Sequence, residues 1–271
     1  MRNSYFIINS HCHIYPQKIA ARAVAATDKF YDIVSCCLGT AEDLLEQEAA
    51  NGIDHFVVQS VATTPMQVAS INSFIAGEVA ASEGRFTGLG TLHPDSECLR
   101  EDVENIVALG LKGVKLHPDI QRFSLNDKKC YPIYELCCEN GLPLLLHTGD
   151  SRYDYSNPDQ LLPVLKTFPE LTVIGAHLGG YSVWDEAVRR LAGIDNFYVD
   201  CSSSFGLMDK HQAKTIIQAY GADRVLFGTD YPMWQAKSEL DTLFEFGFSP
   251  EEYRKILSEN AIKVFGIEGI D

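Results

Sequence analysis

An eight-stranded parallel α/β barrel is the fold that this 271-residue sequence predicts, on three observations. Eight short runs of β-branched and apolar residues alternate with longer segments of helical period. Six glycines (Gly52, Gly84, Gly110, Gly141, Gly193 and Gly221) each follow a helical stretch and precede a strand, where a helix C′ residue adopts positive φ. The strands are almost continuously apolar, as in "LPLLLH" and "LTVIGAH", which suits a parallel sheet covered on both faces. Eight β/α units in about 250 residues match a closed, single-domain (β/α)8 TIM barrel. A doubly wound open sheet is the alternative.

In chain order, the predicted strands cover residues 6–13, 56–62, 87–93, 113–117, 143–147, 172–177, 197–201 and 224–230. The longer stretch 15–40 is expected to cap one end of the barrel. No Gly/Ser linker, low-complexity tract or charge block divides the chain, so residues 1–271 are assigned to one domain. The chain is 46% hydrophobic and 22% charged, enough to bury a large core.

Charge and cysteine usage narrow the partners. Against 22 Lys and Arg stand 37 Asp and Glu, a net charge of −15 that repels phosphate backbones and anionic lipids, and no basic stripe offsets it. Neither nucleic acid nor membrane is expected as a partner. No run approaches the ~18 apolar residues of a membrane span, and "MRNSYFII" has no apolar stretch of signal length, so a cytoplasmic protein is expected. The eight cysteines include the adjacent pairs Cys36-Cys37 and Cys137-Cys138 and no C-x-x-C, which reads as reduced, mostly buried thiols. A homodimer is compatible with this composition.

Barrel enzymes place their chemistry at the C-terminal ends of the strands. Six of the eight histidines fall there: His11, His13, His93, His117, His147 and His177. His55 instead begins a strand, and His211 lies in a helix. Residues at i and i+2 of a strand share a face, so His11 and His13 both face the barrel axis. Two imidazoles on one rigid strand suit a borderline metal ion such as Zn²⁺, which needs further ligands from elsewhere. H-x-H alone is weak evidence, and solvated or core histidines are its alternative. His147, His177 and Asp230 each end an apolar run, and a buried Asp calls for a partner, with a cation foremost and an N-cap or salt bridge as alternatives.

This combination resembles the amidohydrolase superfamily, and within it the amidohydrolase-related subgroup that includes aminocarboxymuconate-semialdehyde decarboxylase. The resemblance spans nearly the whole chain and rests on His11-x-His13, "GVKLHP" at 113–118, "LLLHTG" at 144–149, "IGAHLGG" at 174–180 and "LFGTDYP" at 226–232. It implies one divalent metal ion, Zn²⁺ first and Mn²⁺ second, held by His11, His13, His147 and Asp230, with His177 beside an activated water. Many relatives carry Asp two residues before the first histidine, where this chain has Asn9.

The expected reaction is hydrolysis of an amide, lactone or other ester bond by metal-activated water, with Asp230 as general base and His177 as proton shuttle. The alternative is a metal-dependent nonoxidative decarboxylation of an unsaturated carboxylic acid. A third reading is an inactive ligand-binding barrel. Lys115 and His117, also two apart, should both face inward. Lys115 is expected to bind a substrate carboxylate, to be carboxylated and bridge a second ion, or to pair with an acid. The loops "PDIQRFS" and "TGDSRYDYSNP" bring Arg122, Arg152, Tyr153 and Tyr155 toward the rim, where arginine suits carboxylate recognition or remains solvated. A small anionic substrate is therefore expected, bound through Lys115, His117, Arg122 and Arg152. Trp184 is expected either in the pocket wall or in the core.

Overall fold

The computed structural model describes residues 5–269. Strand β1 (Ile8–His13) pairs with β2 (His55–Gln59), and β2 with β3 (Phe86–Gly88). Then β4 (Gly90–Thr91), β5 (Val114–Leu116), β6 (Leu144–Leu146), β7 (Val173–Gly175), β8 (Phe197–Asp200) and β9 (Val225–Leu226) follow in order, all parallel. β3 and β4 are two pieces of the predicted strand 87–93, parted at Leu89, whose N–H still reaches Val58 O at 2.9 Å. The ring closes beyond β9, where Ser10 N–H donates to Phe227 O at 2.8 Å and His13 N–H to Tyr231 O at 2.7 Å. This is the expected (β/α)8 barrel.

Helices α1 (Gln17–Tyr31), α2 (Ala41–Ala49), α3 (Val68–Ala81), α4 (Leu99–Ala108), α5 (Pro118–Gln121), α6 (Tyr131–Glu139), α7 (Pro158–Thr167), α8 (Trp184–Leu191), α9 (Lys210–Tyr220), α10 (Ala236–Glu245), α11 (Pro250–Arg254) and α12 (Asn260–Phe265) fill the connections. The six glycines predicted to stop helices all have φ between 63° and 87°. Helix α1 buries only Ala20, so it is not a wall helix of the barrel. It lies over the mouth, as expected of 15–40, and delivers Tyr31 to His117. All eight cysteines are free, five of them buried. Among the described residues no helix is long and apolar enough to cross a membrane.

Alternation divides the strand side chains between two clusters. Val114, Leu116, Leu144, Leu146, Phe197 and Val199 face the helices. Ile8, Val57, Leu89, Leu145, Ile174, Tyr198 and Leu226 fill the barrel interior with Ala261 and Phe265 of α12. The polar layer of the interior stands above this apolar plug, toward the strand ends. On β1 strict alternation would place Cys12 with Ile8. A register shift between Asn9 and Cys12 re-phases the strand, so Cys12 and Ile14 join the outer cluster while both Ile8 and His11 point inward. Asn9 holds this bulge: its Oδ1 accepts from His11 N–H at 3.3 Å and Thr229 N–H at 3.0 Å, and its Nδ2 donates to Thr229 Oγ1 at 2.8 Å. An amide can make this donor-and-acceptor pattern where an ionised Asp cannot.

Glu48 of α2 is fully buried and accepts from the N–H of Ala236, the first residue of α10, at 2.8 Å, while its Oε1 has no partner. Burial pushes its pKa up to about 7. The folded state therefore holds a proton that the unfolded chain releases near pH 4.5, and stability is lost as pH rises from 4.5 to about 7. Glu48→Gln keeps an acceptor for Ala236 and removes the titration. Its stability relative to wild type should rise by on the order of 3 kcal/mol between pH 5 and 8. Urea unfolding at the two pH values checks this, and a constant difference contradicts it.

Candidate metal centre and cleft

Three donor atoms converge above the plug. His11 Nε2 lies 3.2 Å from His13 Nε2 and 3.2 Å from Asp230 Oδ1, and His13 Nε2 lies 3.5 Å from the same oxygen. Bonds of roughly 2.0–2.2 Å to a single ion place its ligands at about this spacing. All three residues are buried. On its far side, His11 Nδ1 lies 2.8 Å from Asp200 Oδ2, so the ring's hydrogen goes to the carboxylate and its Nε2 lone pair faces the other donors. Burial would raise the Asp200 pKa, but His11, His177 and Ser202 together hold it well below the usual carboxylate range.

His147 and His177 form a second set of facing lone pairs. His147 Nε2 lies 3.0 Å from Gly149 O and His177 Nδ1 lies 3.1 Å from Ser202 O. A carbonyl only accepts, so both of those nitrogens carry hydrogen. The neutral rings then turn bare nitrogens toward each other, His147 Nδ1 and His177 Nε2, 3.0 Å apart. Such a contact calls for a cation. Burial, then His117, His177 and Lys115, push the His147 pKa well below normal, which makes a proton a poor occupant. His177 stacks on His11, with ring centroids 5.4 Å apart, so this pair borders the first group. The donor chemistry thus fits a divalent ion held by His11, His13 and Asp230, with His147 and His177 adjacent.

A neighbouring cluster of His117, Asp119 and His147 is also buried and close-set. It does not suit an ion. The His117 and His147 rings are stacked at 4.0 Å and 6°, and lone pairs lying in parallel planes do not meet. Both His117 nitrogens are moreover engaged, Nδ1 by Ile120 N–H at 3.3 Å and Nε2 by the Tyr31 hydroxyl at 2.7 Å.

The donors open into a narrow cleft at the barrel mouth. His147, His177, Ser203 and Asp230 reach it from the barrel, and Tyr31, Tyr181, Trp234, Leu207 and Met233 wall it. Asp230 Oδ2 accepts from Ser203 Oγ at 2.7 Å, and Ser203 Oγ accepts from Trp234 Nε1–H at 2.9 Å. His177 and Asp230 adopt φ of 59° and 64°, a left-handed conformation that costs on the order of 1 kcal/mol for a residue with a Cβ. That strain turns both side chains from the strand ends into the cleft.

The residues expected to bind the substrate divide differently. Lys115 is buried, with Nζ 3.1 Å from His11 Nε2, and burial lowers its pKa to about 8 against the pull of Asp230 and Asp200. His117 is joined to Tyr31. Arg152 pairs with the buried Asp150 at 2.7 Å, donates to Phe30 O at 2.6 Å and lies over the Phe30 and Tyr31 rings. Arg122 is exposed at the end of α5. None of these four is among the described residues lining the cleft. Tyr153 stacks on Phe30, and Tyr155 contributes its carbonyl to Leu125 N–H. Trp184 donates to His177 O at 3.0 Å and packs on the core, so Trp234 stands in the wall instead.

Sequence reading missed Asp200, Ser203, Tyr31 and Trp234. Asp200 had a signal, since it stands one residue before the end of the predicted strand "FYVDC", close to where His147 and His177 stand on theirs. Tyr31 had none, because nothing in the spacing of α1 says which side chain reaches the mouth.

The chain belongs to the amidohydrolase family, whose profile matches residues 8–267. Among curated proteins it is similar to 2-amino-3-carboxymuconate-6-semialdehyde decarboxylase of Dictyostelium discoideum. Identity is 23% over 242 residues, 73% of this chain and 66% of that protein, just under two thirds of the relative's length. The fold is shared with 5-carboxyvanillate decarboxylase from Sphingomonas paucimobilis, at 18% identity, TM-score 0.73, and coverage of 97% and 100% of the two chains. It is shared also with dihydroxybenzoic acid decarboxylase from Polaromonas sp. JS666, with bound manganese and the inhibitor 2-nitroresorcinol, at 17% identity, TM-score 0.73 and 98% coverage of both chains.

These relatives overturn the expectation of hydrolysis, since all three are decarboxylases. The motifs could not separate the reactions because the same histidines and aspartate serve both. The walls of the cleft are aromatic and apolar.

Removing a donor and removing its competitor should have opposite effects on metal content. His13→Ala should lose the ion after mild dialysis. Lys115→Met, which frees the His11 lone pair of an ammonium, should bind it at least ~10-fold more tightly, the scale of removing one buried like charge. Elemental analysis and competition with a chelator read both, and equal metal content in wild type and His13→Ala contradicts the donor set.

Proposed function

We propose that this chain is a metal-dependent nonoxidative decarboxylase of a small unsaturated, ring-bearing carboxylic acid. The observation that carries the reading is the division of Asp230. Its Oδ1 turns to His11 and His13, and its Oδ2 turns to Ser203 in the cleft. The decarboxylases among its relatives support it. A divalent ion held by His11, His13, His147 and Asp230 would supply positive charge that offsets the substrate's anionic oxygens. The N/O donor set, without thiolate, accommodates Mn²⁺ as well as Zn²⁺, and we assign Mn²⁺ because one neighbour holds manganese.

Decarboxylation exchanges a carboxylate for hydrogen on carbon, so the site must deliver one proton. Asp230 carries it on Oδ2. A π-electron pair of the substrate takes that proton at the carbon bearing the carboxylate. The C–C bond then breaks, its electrons restore the π system, and CO₂ leaves. His177, which lines the cleft beside Asp230, relays the replacement proton. Tyr181, Trp234, Leu207 and Met233 exclude bulk water and match the faces and edges of a flat ring.

A panel of carboxylated aromatic and muconate-like acids, offered in D₂O, tests this. CO₂ should be released, with one deuterium at the vacated carbon. Asp230→Asn and His177→Asn should each lose at least ~10²-fold in turnover, and His177→Asn should keep most of its metal. Turnover without CO₂ contradicts the reaction, and loss of the ion in His177→Asn as complete as in His13→Ala makes His177 a ligand rather than a relay.

A further inference from the structure

We propose that the Tyr31 phenol is a substrate-binding donor, whose O–H bonds an anionic oxygen of the carboxylated substrate, and that His117 aims it. The inference rests on the reading above that the cleft takes a carboxylate. Its starting point is a deficit: no Lys or Arg is among the described residues lining the cleft. Besides an ion, a carboxylate entering there needs a neutral donor.

The hydrogen-bond network shows which hydroxyl is available. Ile120 N–H donates to His117 Nδ1 at 3.3 Å, so that nitrogen bears the lone pair and Nε2 bears the hydrogen. His117 Nε2 lies 2.7 Å from the Tyr31 oxygen, which must therefore accept. The phenol hydrogen is left for another acceptor. The nearest one, the bare Nδ1 of His147, is at 3.5 Å, at the limit of a hydrogen bond. Tyr31 also lines the cleft alongside His147 and Asp230.

Arg152 is a positioning residue in the same device. It fastens the end of α1 through Phe30 O at 2.6 Å, and its guanidinium lies 4.9 Å from the Phe30 ring centroid and 5.1 Å from that of Tyr31. The buried Asp150 holds it from the other side at 2.7 Å. The cation expected to grip the substrate instead holds the helix that carries the donor.

Calorimetric titration of the purified, Mn²⁺-loaded protein with benzoate, and with benzyl alcohol as the uncharged comparison, tests the assignment. Tyr31→Phe should bind benzoate roughly 10- to 100-fold more weakly, the range for a hydrogen bond to a charged acceptor, with benzyl alcohol affinity and metal content unchanged. His117→Gln, whose amide can still donate to the phenol, should retain more affinity than His117→Leu. Arg152→Ala should weaken benzoate binding in wild type and add nothing in the Tyr31→Phe background. Equal benzoate affinity in wild type and Tyr31→Phe overturns the inference alone, as does an equal loss of both probes. If wild type binds no benzoate, the carboxylate reading of the cleft falls first and the inference with it. A further loss from Arg152→Ala in the Tyr31→Phe background makes Arg152 a direct ligand and overturns its positioning role.

Discussion

Two carboxylates buried above an apolar plug set the terms for the rest of the site. Asp200 is fully buried and Asp230 nearly so. An uncompensated ion in such surroundings costs several kcal/mol. Asp200 is offset by His11 and by hydrogen bonds from Ser202 and the His177 N–H. That bond also fixes the His11 tautomer, which in turn points a lone pair at His13 and Asp230. Lys115 answers that lone pair with an ammonium, so the buried layer holds one cation of its own against two anions. With Asp230 ionised that leaves one net negative charge, which a divalent ion more than offsets, so the strands build an imbalance that favours a metal and a loaded layer that favours an anionic substrate.

The strands could not present this layer without a local departure from regularity. On β1 the bulge held by Asn9 lets Ile8 fill the plug and His11 enter the polar layer from the same strand. Beyond β7 and beyond β9, left-handed backbone at His177 and Asp230 turns two side chains into the cleft. The same left-handed backbone recurs at Leu178, Ser182 and Ser203, and at Asp32, Glu83 and Arg122 elsewhere in the chain, so His177 and Asp230 belong to a wider set of strained connections.

Much of this was legible in the sequence. Alternating apolar runs and glycine stops gave the barrel because parallel strands are buried on both faces and helix ends need positive φ. The i, i+2 spacing placed His11 and His13 on one face, and the bulge left that relation intact. Histidines at strand ends pointed to the polar layer because strand ends are its only entrance. Tyr31, Ser203 and Trp234 were hidden because they come from a capping helix and loops, whose paths follow tertiary packing and not periodicity. The two loop arginines illustrate the limit. Composition places a cation near the mouth, but only coordinates show that Arg152 is held by Asp150 and Phe30.

The division of labour between strands and loops also explains why the reaction was harder to read than the fold. The floor of the site, His11, His13, His147, His177, Asp200 and Asp230, supplies a metal position and movable protons, and these are common to bond cleavage by water and to loss of CO₂. What separates the two is whether water is present at the reacting carbon and what shape the substrate has. Both are decided by the walls. Tyr31 from α1, Tyr181 after β7 and Trp234 after β9 converge from three connections to make an aromatic wall beside Asp230. On the decarboxylase reading proposed above, such a wall would hold a planar ring for protonation on one face while its carboxylate departs. The chemistry class therefore resides in the barrel, and the choice of reaction in side chains whose positions no local pattern announces.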